Sequence, residues 1–332
     1  MPRRTDGNET GDGDARERIE NVLLGGGRAY TRAAIVEKSG IPAERTNQIW
    51  RALGFPLAGE EEAVFTEGDL QALRAGEFFV ESGVISAESE TLMARALGHH
   101  LSRLAEWQVD TLWDWLSRQP GLDPAGEDFT ELVEQLLPHF ERLQNHVWRR
   151  HLAACAGRAL AAGEEEPAAR VQAVGFSDIV GYTRLSRGLD GTGLSRVLDR
   201  FEGTAGDTVA DHGGRIVKTI GDEVLFTAES AADAAEIALT LAGAARGDAA
   251  APGLRLRTGL AFGPVLSRFG DVYGPVVNTA ARLTSLARAG TVLADQRLAG
   301  CLAGDPAYAT RTLRAVSVRG YSRLRPVLLR RR

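Results

Sequence analysis

The chain has 332 residues, of which 44% are hydrophobic and 25% charged, a globular composition that excludes a mainly disordered or fibrous chain; at about 150 residues per domain it has room for two. The net charge of −5 is divided unevenly, −9 on residues 1–160 and +4 on residues 161–332. The acidic half is poorly suited to gripping a nucleic-acid backbone, and the basic half suits an anionic ligand such as a polyphosphate.

Residues 1–14 read as a solvated tail without the apolar core of a secretory signal. No apolar run approaches the ~20 residues of a membrane-spanning helix, so no integral membrane segment is expected. Two cysteines, Cys155 and Cys301, are too few for a disulfide framework or a zinc site and fit a reduced, cytoplasmic protein.

From residue 15 onward apolar residues recur every three or four positions, as in Ile49, Trp50, Leu53 and in Met93, Ala96, Leu97, Leu101, Leu104. That is the helical period. Gly40-Ile41-Pro42, Gly54-Phe55-Pro56 and Pro120-Gly121 punctuate it. An all-helical domain is expected over 15–145. A long helix through Phe129, Leu136, Phe140, Leu143 and Val147, started or kinked by Pro138, runs on into a switch-helix and linker segment, 146–170. Three glutamates and Pro167 mark the linker.

The texture changes at 171. A strand over 171–176 leads to a helix over 194–209. Two short strands follow, 215–219 and 223–227, flanking the turn signal Gly221-Asp222. A helix over 231–246 and a strand over 254–262 come next, then a helix over 278–289 and a strand over 291–294. The order β-α-β-β-α-β predicts an α+β, ferredoxin-like catalytic domain over 171–332 with appended elements.

Three segments carry chemistry. In Phe176-Ser177-Asp178-Ile179-Val180-Gly181-Tyr182-Thr183 a carboxylate follows an apolar strand; alone it reads equally well as a turn-capping Asp. In Lys218-Thr219-Ile220-Gly221-Asp222-Glu223 a second Asp stands at a hairpin tip. If that hairpin pairs beside the first strand, Asp178 and Asp222 are neighbours. Two adjacent carboxylates repel unless a cation lies between them, and hard divalent ions with phosphates are the usual occupants. In Asp271-Val272-Tyr273-Gly274-Pro275-Val276-Val277-Asn278-Thr279-Ala280-Ala281-Arg282, Asn278 and Arg282 are four apart and share a helix face. Singly they read as a helix cap and a solvated cation; together they suit charge developing at phosphorus. Only two of the 39 cationic residues are lysines, Lys38 and Lys218, so a lysine here stands out.

These three segments, in this order, resemble the class III nucleotidyl cyclases. The resemblance covers about residues 171–330. It implies that Asp178, Asp222 and the backbone carbonyl of Ile179 hold two Mg²⁺ or Mn²⁺ ions for in-line attack of the ribose 3′-hydroxyl of ATP on its α-phosphate. It gives Asn278 the ribose, Arg282 the transition state, and Lys218 with Asp271 the adenine; guanylyl cyclases typically have Glu and Cys at the last two positions. It implies a homodimer with composite sites at its interface, since the family assembles each site from two chains. A cation from the C-terminal strands usually clamps the triphosphate; Arg319 and Arg323 are the candidates.

Residues 20–120 resemble, more loosely, the regulatory domain of actinobacterial pH-responsive adenylyl cyclases, in Trp50-Arg51-Ala52-Leu53-Gly54-Phe55-Pro56, Phe65-Thr66-Glu67-Gly68-Asp69 and Leu104-Ala105-Glu106-Trp107-Gln108-Val109-Asp110, with Trp148-Arg149-Arg150-His151 beyond that range. An autoinhibitory module is implied, open to a small-molecule or lipid regulator. Five of six histidines lie between 99 and 151; His139, His146 and His151 are candidate pH-responsive groups. A rival reading takes residues 32–50 as a helix-turn-helix of a DNA-binding regulator that senses nucleotides without catalysis; the −9 charge of that half argues against it.

Overall fold

The computed structural model describes residues 9–57, 59–161, 170–247, 255–318 and 320–332. The chain divides into two compact units between Leu160 and Ala161.

The first unit is helical: α1 (Glu9–Leu23), α2 (Arg32–Ser39), α3 (Ala43–Ala52), α4 (Glu67–Glu81), α5 (Ala87–Leu116) and α6 (Glu127–Ala161). Thr31 caps α2 by accepting from the Ala34 amide, and Gly40 ends it in the left-handed region at φ 74°, where glycine carries no Cβ penalty. Three residues, Gly40-Ile41-Pro42, lead from α2 into α3, the connection length of a helix-turn-helix. Ile35, Ile41, Ile49, Phe65, Leu70, Leu73 and Ala94 close a core between these helices, α4 and α5. A smaller cluster seats the start of α6, through Phe129 and Val133, on α5 and α1. Helix α6 runs unbroken through Pro138, so the proline does not start it. No helix among the described residues is long and apolar enough to cross a membrane. Both cysteines are exposed.

The second unit contains β1 (Arg170–Ile179), α7 (Tyr182–Ser186), α8 (Gly191–Asp211), β2 (Arg215–Ile220), β3 (Glu223–Ala228), α9 (Ala231–Gly247), β4 (Leu256–Arg268), β5 (Asp271–Tyr273), α10 (Pro275–Leu286), β6 (Val292–Ala294), α11 (Gln296–Cys301), β7 (Tyr308–Thr312), β8 (Val316–Val318), β9 (Tyr321–Leu324) and β10 (Val327–Arg331). The main sheet runs β2-β3-β1-β4-β6-β10-β7, with β5 on β4; β8 and β9 pair separately. Its first four strands are antiparallel and have the expected ferredoxin-like order. Strand β6 then joins β4 in parallel, which requires the crossover that α10 supplies.

Strand alternation sorts the faces. Ala173 and Ile179 of β1 face α8 and α9. Val174 and Phe176 face the side covered by α10, with Leu225, Ala261, Val265 and Ala280. Helix α10 lies so close to β4 that a Cβ on Gly259 would overlap the backbone of Ala280 and Thr284. Helix α10 also begins earlier than the expected 278: Gly274 is its N-cap and Pro275 follows, where a fixed φ is preorganised for the first turn. Asn278 therefore sits inside the helix and is not its cap.

Candidate active site

Asp178 is the penultimate residue of β1 and is 8% exposed. It faces the same side as Phe176, with Glu223 of β3 and Arg257 of β4 as its cross-strand neighbours. The hairpin tip folds onto the end of β1: the Ile179 amide donates to the Asp222 carbonyl at 3.1 Å. The two aspartates are therefore side by side, as the hairpin argument required. Burial first, then a hydrogen bond and the charge of Asp178, push the Asp222 carboxyl up to about 6. Burial and the charges of Asp178 and Asp222 push Glu223 up to about 7. Arg257 answers this negative charge, its Nε donating to Asp178 Oδ2 at 2.6 Å while a second guanidinium nitrogen ion-pairs with the same oxygen.

Among the described residues no three His, Cys, Asp or Glu side chains enclose an ion. Two carboxylates and a nearby carbonyl nonetheless fit a hard divalent cation that completes its shell with phosphate oxygens and water, the habit of Mg²⁺. The donor set is oxygen-only, which matches that use.

Lys218 of β2 is in register with Leu225, which is in register with Phe176. Sheet spacings put it about 12 Å from Asp178 on the same face. Its Nζ meets Asp271 Oδ2, at the start of β5, at 2.5 Å. Burial pushes the Asp271 carboxyl up, but hydrogen bonds from Lys218, the Val272 amide and Tyr273, with the Lys218 charge, hold it below the usual carboxylate range.

Ala280 and Thr284 are the buried side of α10. At 100° per residue, Asn278 and Arg282 stand about 160° around the helix from Ala280. They project away from their own sheet and from Asp178. One chain thus brings together Asp178 with Asp222, and Lys218 with Asp271, but leaves Asn278 and Arg282 on the far side of α10. Arg323 is exposed on β9, and Arg319 lies outside the described residues. His139, His146 and His151 are exposed along α6. Three site residues escaped the sequence reading. Glu223 directly follows Asp222; Arg257 is a lone charge between buried Leu256 and Thr258; Tyr273 sits two residues from Asp271.

A paired-carboxylate site at the end of the central strand of a ferredoxin-like sheet, with a Lys–Asp pair two strands away, defines a nucleotidyl cyclase catalytic domain. Residues 165–330 match the family described as adenylate and guanylate cyclase catalytic domain. The chain is 42% identical over 296 residues to an adenylate cyclase of Streptomyces coelicolor, across 89% of this chain and 77% of that one. It is 35% identical over 325 residues to an adenylate cyclase of Glutamicibacter nicotianae, covering 93% and 80% respectively. A pH-sensitive adenylate cyclase of Mycobacterium tuberculosis is 32% identical over 86% of this chain and 73% of its own length. The chain belongs to the adenylate and guanylate cyclase family and is an enzyme.

Proposed function

We propose that the chain converts ATP to 3′,5′-cyclic AMP and pyrophosphate, at sites each built from two copies. The Lys218–Asp271 pair carries the choice of base. A Lys donor suits adenine N1 and an Asp acceptor suits the exocyclic amine, whereas guanine presents a carbonyl and a protonated N1 to the same groups. The relatives named adenylate cyclase support the same choice.

Asp178, Asp222 and the Ile179 carbonyl would hold two Mg²⁺ or Mn²⁺ ions. Bound there, such ions supply neutralisation of the phosphates and acidify the ribose 3′-hydroxyl. Arg257 would leave Asp178 as the ions take that carboxylate, and its guanidinium then faces the phosphates, a stronger candidate than Arg319 or Arg323 because it already borders the carboxylate pair. The outward direction of Asn278 and Arg282 supports the two-copy reading: they reach the carboxylates of a second chain, where Asn278 orients the ribose and Arg282 meets the charge building on the α-phosphate. A head-to-tail homodimer then has two equivalent sites.

The N-terminal unit reads as a cytoplasmic restraint that responds to pH or to a small-molecule or lipid ligand. The match to the pH-sensitive relative supports this, because 86% coverage extends into that unit. The DNA-binding alternative has a helix-turn-helix in its favour, but Arg45 of α3 is spent on Glu77 and Glu90, and Glu60, Glu61 and Glu62 follow nearby in the chain. The test is product analysis with ATP and with GTP in Mn²⁺, at acid and neutral pH, for the full chain and for residues 161–332. Cyclic AMP from ATP, with a pH response larger in the full chain, is the expected result. Cyclic GMP as main product overturns the base assignment, and equal pH profiles overturn the restraint.

A further inference from the structure

Strands β4 and β5 are joined by the shortest kind of hairpin. Arg268 pairs with Asp271, which leaves Phe269 and Gly270 as the whole turn. Both residues have positive φ, 53° and 78°. That is the pattern of a type I′ turn, whose first position normally takes Asn, Asp or Gly. Phe269 is the one non-glycine residue with positive φ among the described residues, and a bulky side chain is disfavoured there. The residue that follows this turn is Asp271. A strained turn beside a functional carboxylate persists only where its surroundings hold it.

Part of what holds it comes from β2. Arg215 Nη1 donates to the Gly270 carbonyl at 3.1 Å, and Lys218 Nζ meets the carboxylate of Asp271, the next residue. Backbone pairing ties β5 to β4 alone among the described strands, so side chains make the link to β2. Residues three apart on a regular strand face opposite sides. Here the register slips between Ile216 and Lys218, so that Arg215 is opposite Thr227 and Lys218 opposite Leu225. Those partners are two apart on β3 and share a face, so the bulge brings Arg215 and Lys218 to one side. Bulges beside functional sites re-aim side chains in this way. At the turn itself, the Arg268 guanidinium lies 4.9 Å from the centre of the Phe269 ring. Asp271 Oδ1 accepts from the Val272 amide at 2.8 Å.

We propose that Arg215 is a positioning residue for base selection. Through the Gly270 carbonyl it fixes the turn, and the turn fixes where the Asp271 carboxylate stands beside Lys218. Arg215 acts through Asp271 and not on the base. Two groups that read a base by hydrogen bonds discriminate only as well as they are placed. This role presupposes that Lys218 and Asp271 choose adenine.

Steady-state kinetics of full-length Arg215→Ala with ATP and with GTP in Mn²⁺ test it. The ratio of kcat/KM for ATP over GTP is expected to fall at least tenfold, with KM for ATP raised at least fivefold and kcat for ATP within threefold. Arg215→Lys, which keeps a donor for the same carbonyl, recovers the ratio to within threefold. Added to Asp271→Ala, Arg215→Ala lowers the ratio no further, because residues that act through one group are not additive. Three results overturn the proposal: a ratio within twofold of the unsubstituted chain in Arg215→Ala, equal losses of kcat for both nucleotides, or additive losses in the double variant. The base assignment fails separately, if Asp271→Ala keeps the preference for ATP. If Asp271→Ala loses that preference while Arg215→Ala retains it, only the role of Arg215 falls.

Discussion

Asp222 and Glu223 hold protons that their unfolded counterparts would release. Their ordinary values of 3.8 and 4.5 are raised to about 6 and about 7. Between about pH 4 and pH 7 these two groups bind more protons in the folded chain than in the unfolded one, so their contribution to stability falls as pH rises through that window. A divalent cation relieves the same repulsion and competes with those protons. Saturating Mg²⁺ or Mn²⁺ is expected to raise Tm by about 5–10 °C at a hundred times its Kd, more at pH 7.5 than at pH 5. Differential scanning fluorimetry checks this, and an undiminished shift in Asp222→Asn contradicts it. The aspartates themselves were legible in the sequence because a strand end and a hairpin tip are local features. Arg257 was not. Its importance comes from a register across two strands, and nothing within a few residues of it announces that pairing.

Elements show the same division. The strands around Gly221-Asp222 follow from turn chemistry, α8 from its apolar face and α9 from its run of alanines. The start of α10 was misjudged because Asn278 resembles a cap, while Gly274 and Pro275 upstream already supply one. Strands β7 to β10 have three to five residues each, too short to show alternation. Helix α10 positions Asn278 and Arg282, and its distance from β4 is set by Gly259. Gly259→Ala is therefore expected to cost about 1–3 kcal/mol in denaturant unfolding and to lower turnover at least tenfold as α10 is pushed outward. Gly243→Ala in α9, where an added Cβ meets nothing, is expected to gain up to about 1 kcal/mol. Equal behaviour of the two variants would show that the close approach at Gly259 sets nothing.

At the scale of the molecule, the sequence shows helical period up to the 146–170 linker, strands from 171, and a charge of −9 on residues 1–160 against +4 on 161–332. What no single chain displays is a complete site. The carboxylate pair lies at the end of β1, while Asn278 and Arg282 point away from it across α10. The proposed function needs a second copy, turned head to tail, to complete the site. The most direct measurement mixes two inactive full-length chains, Asp222→Ala and Arg282→Ala, and assays cyclic AMP formation from ATP. Random pairing of equal amounts makes half of the dimers mixed, each with one intact composite site, so about a quarter of the unsubstituted activity is expected to return. Mixed dimers that form and yet remain as inactive as either parent would contradict the shared site.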